Sequence, residues 1–345
     1  MLGLDIGNSS VKLVELGQDK ENNLILETCA VLPLEAGWIK DGSIEKFDEI
    51  ADAVRRLLKL SGTKTKNVVM ALPPSSVITK KIVLPGGMTD LELEIQVESE
   101  ANQYIPFPLD EVSLDFCILG PSAGSKGDID VLIAASRREK VQDMQGLAEA
   151  AGLKPVIVDV KSYASRLAAS RLIAGMTDHT ADSIVALFEV GSLTTSMQVI
   201  RGDEVLYDRD QAFGGAQLTQ LIVLQYGFSY EEAETKKCRG ELPADYEKAV
   251  LKPFIENLVQ EISRALQFFF TSTTHNKVDL VMLAGGSAGL TGLTAMVTRQ
   301  TGFQCIVANP FKGMRIAEGI GKKKLALEAP SYLTACGLAL RRFLQ

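Results

Sequence analysis

The sequence predicts an α/β fold of two related lobes, with an α+β subdomain inserted into the first. Three observations predict it. The chain has 345 residues, more than one ordinary hydrophobic core serves. Residues 2–72 read as three strands, a helix and a strand. The opening strand and turn, Leu2–Gly7, return at Ile184–Gly191 with the same order of apolar run, acidic residue, apolar residue and glycine.

The elements follow in order. Leu2–Ile6 is an apolar strand, Gly7–Ser10 a turn, and Val11–Leu16 a second strand. A polar turn at Asp19–Asn23 leads to a third, Leu24–Leu32, so the three read as an antiparallel meander. Ile50, Val54, Leu57 and Leu58 stand at helical spacing and predict a helix over Phe47–Leu60. Val68–Leu72 is a short buried strand that Pro73 and Pro74 end. This β-β-β-α-β order is one half of a ribonuclease-H-type fold.

A different block follows, over 86–155. Thr89 is an N-cap, and Glu92 completes a capping box for a helix over Asp90–Gln103. Tyr104-Ile-Pro-Phe-Pro108 breaks that helix. Strands at Val112–Leu119 and Asp130–Ser136 flank a loop of Gly, Ser and Pro, and a helix over Arg138–Ala151 ends at Gly152. Pro155–Val160 resumes the first lobe as a strand, and Lys161–Gly175 closes it as a helix.

In the second lobe, Ser196–Ile200 and Glu204–Tyr207 are strands joined by a turn at Gly202-Asp203. Gly214-Gly215 leads into a helix over Ala216–Tyr226, and Tyr230–Cys238 is a short charged helix. Phe254, Leu258, Ile262, Leu266 and Phe269 share one face of a helix over Pro253–Thr271. Asp279–Ala284 is a strand, Gly285-Gly286-Ser287 a tight turn, Gly289–Gln300 a helix, and Ser331–Phe343 the terminal helix. The expected domains are a first core at 1–85, completed by 156–180 and 331–345, with its insertion at 86–155. The second core is expected at 181–212, completed by 277–330, with its own insertion at 213–276.

Composition narrows the function. An apolar share of 46% and a charged share of 23% fit a globular protein. A net charge of −7 without a basic stripe argues against nucleic acid. Lys322, Lys323 and Lys324 read as a solvated loop. Five scattered cysteines read as small buried residues in a reducing compartment, and His179 and His275 have no ligand-spaced neighbours for zinc. Asp5 interrupts the first apolar run, so no secretory leader is read there. No run approaches the roughly 18 apolar residues of a membrane span. The expected location is cytoplasmic, with membrane association through a partner.

A phosphate chain needs backbone N–H donors at close range, which a hairpin turn of small residues supplies. Gly7, Asn8, Ser9 and Ser10 form such a turn, and Lys12 lies just beyond it as a point charge. Asp5, at a strand end, is placed to hold Mg²⁺ through water. One such hairpin is equally an ordinary hairpin. The second copy, at Glu189, Gly191, Thr194 and Thr195, makes a two-sided clamp the better reading. Gly285, Gly286 and Ser287 would let a flat nucleoside approach the backbone. Gly214 and Gly215 join the candidate binding residues, and the segment Ala233–Lys237 could add side chains.

Taken together, these residues resemble the actin/Hsp70 superfamily. Its two phosphate motifs, adenosine motif and two connecting helices match Leu2–Lys12, Leu187–Val199, Leu283–Leu293, Asp159–Ala169 and Tyr332–Arg341. The block at 86–155 sits where FtsA-like proteins carry their distinctive subdomain, so the resemblance implies an actin-like two-lobed ribonuclease-H-type fold with an FtsA-like insertion. Within that branch the chain resembles the PilM family of type IV pilus assembly proteins, through Glu98–Val112, Val158–Tyr163 and Glu261–Phe269.

The resemblance implies ATP with Mg²⁺ between the lobes. Asp5, Gly7, Asn8, Ser9, Ser10 and Lys12 would cradle phosphate from one side, and Glu189, Gly191, Leu193, Thr194 and Thr195 from the other. Gly285, Gly286 and Ser287 would approach the nucleoside, with Glu234 and Lys237 beside it. Asp5 and Glu189 would hold the metal through water, and Asp159 stands where relatives position the attacking water. The second phosphate motif usually carries aspartate where this chain has Glu189. A displacement of about 1 Å costs roughly 100-fold in catalysis, so weak or absent hydrolysis is expected.

The resemblance also implies a partner, the cytoplasmic N-terminal peptide of the inner-membrane protein PilN, near Tyr104–Val112. Most of Tyr104, Ile105 and Phe107 are expected to pack the subdomain core. A pilus motor ATPase and self-association are further expected contacts. Two alternatives stay open: a small-molecule kinase of the superfamily, for which no separate substrate motif is found, and an FtsA-like cell-division protein, which would carry an amphipathic membrane tail.

Overall fold

The computed structural model describes residues 1–344 except 41, 181 and 203. The expected turn residue Asp203 and the last residue of the terminal segment therefore lie outside the described residues.

The first lobe opens with β1 (Leu2–Ile6), β2 (Ser10–Gln18) and β3 (Leu24–Pro33), an antiparallel meander with Asp5 opposite Lys12. A two-residue ladder, β4 (Ile39–Lys40) with β5 (Ser43–Ile44), precedes α1 (Phe47–Ser61). Next comes β6 (Asn67–Leu72), parallel to β1. Ile50, Val54 and Leu57 of α1 are buried, as their spacing requires.

β7 (Ile78–Pro85) was not foreseen from the sequence. Only Ile82 and Leu84 mark its period-two burial, and Lys80 and Lys81 interrupt the apolar run. It pairs with β9 (Asp128–Arg137), which also pairs β8 (Val112–Pro121). Across this three-stranded sheet lies α2 (Asp90–Tyr104), with Leu93, Val97 and Ala101 facing Ile82, Leu84, Val131, Ile133 and Ala135. Its capping box forms as expected: Glu92 N–H donates to Thr89 Oγ1 and Thr89 N–H to Glu92 Oε2. Ile105 is buried and Phe107 packs beside it, whereas Tyr104 is exposed under the ammonium of Lys80.

The helix expected inside the inserted block, α3 (Arg138–Ala150), packs elsewhere. Its Met144, Leu147 and Ala148 join the core of the first lobe with Ile50, Val54 and Leu57. The small sheet also includes β7, which begins before residue 86. β10 (Lys154–Val160) then enters the first sheet beside β6, and α4 (Lys161–Ala174) follows.

The second lobe repeats the plan. Antiparallel β11 (Ile184–Val190), β12 (Thr195–Arg201) and β13 (Glu204–Gln211) are followed by α5 (Gly215–Tyr226), α6 (Tyr230–Arg239) and α7 (Lys252–Ser272). The apolar face of α7, Phe254, Leu258, Ile262, Leu266 and Phe269, packs into the core under Phe188 and Val199. β14 (Leu280–Ala284) runs parallel to β11. α8 (Leu293–Thr301) starts later than expected, because Gly292 at φ 84° holds a left-handed conformation that no helix continues through.

Beside β14 runs β15 (Cys305–Val307), after which β16 (Arg315–Ile316) returns the chain to the edge of the first sheet. Lys322–Lys324 begin a short helix, α9 (Lys322–Glu328), rather than a loop, and are exposed there. The terminal helix is shorter than expected: α10 (Leu333–Leu340) lies between single turns of tighter helix at Ala329–Tyr332 and Arg341–Phe343.

One apolar core joins the two sheets. Val14, Leu16 and Leu26 from the first meet Val185, Leu187, Leu280 and Met282 from the second through Ala168, Leu172, Ala335, Cys336 and Ala339 of α4 and α10. These two helices cross so closely at Gly337 that a Cβ there would lie 1.7 Å from the Ala164 carbonyl oxygen.

Candidate functional site

The two hairpins are built alike, bond for bond. Gly7 N–H donates to Ser10 O at 2.9 Å, and Gly191 N–H to Thr194 O at 2.9 Å. Ile6 faces Val11 across the first hairpin and Val190 faces Thr195 across the second. Asp5 therefore corresponds to Glu189, and Lys12 to Ser196, so the second hairpin has no cation where the first has Lys12. At Gly191 a Cβ would come within 2.9 Å of Thr194 O, so a side chain there must open the turn, whereas at Gly7 it would meet Ser10 O at 3.3 Å, a tight contact.

On the first wall, Asp5 is 6% exposed. Lys12 Nζ lies 3.6 Å from its Oδ2 and Lys161 Nζ 2.9 Å from its Oδ1. Burial would raise the Asp5 pKa, but the charges of Lys161 and Lys12 outweigh it and hold the carboxyl below its ordinary value. Asn8, Ser9 and Ser10 are half-buried in the turn. The turn is held from behind, where Leu34 N–H donates to Ser9 O at 2.9 Å.

Three segments meet on the second wall. Gly215 N–H donates to Gly191 O at 2.9 Å and Ala216 N–H to Ser192 O at 2.8 Å. A Cβ on Gly214 would lie 2.4 Å from Ser192 O. Gly214 and Gly215 thus shape and hold the turn, and the first amides of α5 are spent on it. Gly285, at φ 90°, lies so near β11 that a Cβ would stand 2.3 Å from Val190 O. Ser287 Oγ would lie 2.8 Å from a Cβ on Gly215. Glu234 and Lys237 join the same edge: Lys237 Nζ donates to Glu234 Oε2 at 2.6 Å, to Thr219 Oγ1 at 2.7 Å and to Gly215 O at 3.4 Å. Leu193 and Thr194 are exposed at the tip, whereas Thr195 is buried and donates to Phe213 O at 2.7 Å, a structural bond.

Two carboxylates differ from their expected roles. Glu189 accepts from Ser165 Oγ of α4 at 2.7 Å and from Thr334 Oγ1 of α10 at 2.8 Å. Its extra methylene carries both oxygens to the helices between the lobes. Asp159 is 9% exposed at its side chain and accepts from Arg341 Nε at 2.6 Å and Nη2 at 3.1 Å. An oxygen pair committed to a guanidinium is a poor acceptor for a proton from water.

Helix α4 ties the walls together. Lys161 and Ser165 are one turn apart on its first face. Lys161 touches Asp5 of one hairpin, and Ser165 touches Glu189 of the other. Lys161 escaped the sequence reading, because the only signal for it is its place as the first residue of the helix after β10.

The fit of Mg²⁺ to these residues divides. Among the described residues no group of three or more His, Cys, Asp or Glu could cage a metal. Magnesium bound through phosphate and water needs no such cage. Both oxygens of the buried Asp5 face ammonium groups, so a water-mediated cation fits there by displacing one of them. Each Glu189 oxygen already accepts one hydroxyl, which leaves it room for a further donor such as a cation's hydration water but makes it less free than an unbonded carboxylate.

A family model described as type IV pilus assembly protein PilM matches residues 3–343. The chain belongs to the PilM family. A solved structure of a PilM-PilN type IV pilus biogenesis complex matches it at TM-score 0.80 and 30% identity, over 99% of this chain and 97% of that one. Two remoter structures share the actin-like fold of this PilM-family chain. The ethanolamine utilization protein EutJ from Carboxydothermus hydrogenoformans matches at TM-score 0.59 and 18% identity, over 98% and 88% of the two chains. A diol dehydratase-reactivating factor in nucleotide-free form matches at TM-score 0.55 and 12% identity, over 100% and 99%.

Proposed function

We propose that the chain is a nucleotide-responsive scaffold of the type IV pilus assembly platform. It binds ATP with Mg²⁺ between its hairpins and the cytoplasmic N-terminal peptide of a PilN-type membrane protein. The observation that carries the nucleotide half is α4, whose Lys161 and Ser165 reach Asp5 and Glu189 of two hairpins of one design. Family membership and the solved PilM-PilN complex support the partner half.

In this reading the turn amides other than those of Gly7 and Gly191, which close the hairpins, bind phosphate oxygens, and Lys12 and Lys161 supply positive charge. Asp5 orients hydration water around the metal, which neutralises charge on the phosphates. Gly285–Ser287 and the Glu234–Lys237 edge shape the nucleoside side. Asp159 is held by Arg341 and Glu189 by two hydroxyls, so neither of these two carboxylates is free to take a proton from water, which supports binding with weak or absent hydrolysis. The domain division we propose is a first lobe with α3, β10, α4 and α10, a small sheet unit from β7 to β9, and a second lobe whose core includes α7.

No helix among the described residues is long and apolar enough to cross a membrane. Attachment to the inner-membrane platform would come through the peptide partner. Calorimetric titration of ATP with Mg²⁺ tests the nucleotide half: one site per chain is expected, and no binding heat at millimolar ATP would overturn it.

A further inference from the structure

Lys161 heads α4, and its ammonium stands 2.9 Å from Asp5 Oδ1. The same ammonium also donates to the carbonyl of Ile6, so Lys161 holds the Asp5 carboxylate and the end of β1 at once. Lys12 approaches the other oxygen of the same carboxylate at 3.6 Å. One buried anion thus faces two ammonium groups.

That arrangement suits phosphate and opposes a divalent cation. A hydrated cation at Asp5 and an ammonium 2.9 Å away compete for one carboxylate. Polyphosphate supplies several further anions to which a displaced ammonium can turn. Lys161 is the freer of the two lysines, with 23% of its side chain exposed against 14% for Lys12.

We propose that Lys161 exchanges partners: it is the counter-ion of Asp5, and it passes to the phosphate chain of a nucleotide when a divalent cation takes its place at Asp5. The proposal rests on reading the cleft as a nucleotide site. It makes Lys161 a positioning residue with a conformational consequence. Its bond to Ile6 O ties the end of β1 to the start of α4, while Ser165 keeps α4 on Glu189. Partner exchange loosens the first tie and leaves the second, so the nucleotide changes how the helix between the lobes is held.

The test is ATP affinity in EDTA and in Mg²⁺ for the wild type, K161Q and K161R. Glutamine removes the charge but keeps a donor for the Ile6 carbonyl. In EDTA, K161Q is expected to bind ATP about tenfold more weakly, the worth of one charge-assisted contact. In Mg²⁺ the lost contact is offset by lost competition, so affinity stays within about threefold of wild type and the enhancement by Mg²⁺ rises. K161R restores the wild-type enhancement to within about twofold. K161M is a second charge-removing variant should K161Q not fold, and melting without ligand reports on folding. A structural role alone moves both affinities by one factor, and that result overturns the proposal. Wild-type protein that binds no ATP in either buffer overturns the nucleotide reading as well, so the two failures are distinguishable.

Discussion

Glu189 is one methylene longer than the aspartate usual at its motif, and its two oxygens reach Ser165 and Thr334. Those hydroxyls also contact each other at 2.8 Å, so three side chains from β11, α4 and α10 close a small ring. Shortening the acid withdraws it from both donors. E189D is expected to lose about 2 kcal/mol, since a hydrogen bond to a charged group is worth about 1.5–3 kcal/mol and Glu189 is half-buried. Urea unfolding of the variant checks this, and unchanged stability would mean that the ring holds nothing. The glycines and small polar residues of both turns, with Asp5 and Lys12, were legible in the sequence because they lie within one short hairpin. Lys161 and Arg341 were not. Their bonds to Ile6 and Asp159 span 155 and 182 residues, and no local pattern records which distant acid or carbonyl a lysine will meet.

At the scale of elements, α4 and α10 cross at a contact that leaves no room for a side chain. A Cβ on Gly337 would lie 1.7 Å from Ala164 O, so G337A must push the helices apart, at a cost of about 3 kcal/mol or loss of folding. Gly289 has nothing within 4 Å of a Cβ, and G289A is the control, expected to stay within about 0.5 kcal/mol of wild type. Thermal melting of the pair separates a crowded glycine from a permissive one, and equal melting temperatures would contradict the packing. α1 and α7, through their apolar periodicity, and α2, through its capping box and the prolines after it, were legible in place and type. β7 was not legible because two lysines break its apolar alternation, and the apolar face of α3 does not by itself say that it packs on Ile50, Val54 and Leu57.

For the whole molecule, the repeated hairpin and its glycines foretold two lobes, and one apolar core runs through α4 and α10 between them. A shared core makes the lobes mechanically continuous. Nucleotide held between the hairpins would bias how α4 and α10 sit, and through α3 and β10 how the first lobe meets the small β7–β9 sheet. Sequence could foretell the lobes, because each is a complete hairpin-led unit. It could not foretell the coupling, which depends on contacts made only once both lobes exist. In the proposed scaffold a nucleotide site and a peptide site communicate. The most direct measurement is calorimetric titration of a synthetic PilN-type N-terminal peptide into the protein, with and without ATP and Mg²⁺. The expected result is one peptide per chain, with an affinity that nucleotide shifts by about fivefold or more, the lower end of ordinary coupling between sites. Peptide binding of equal affinity in both conditions, with ATP bound, would contradict the coupling, and no peptide binding at all would contradict the scaffold reading itself.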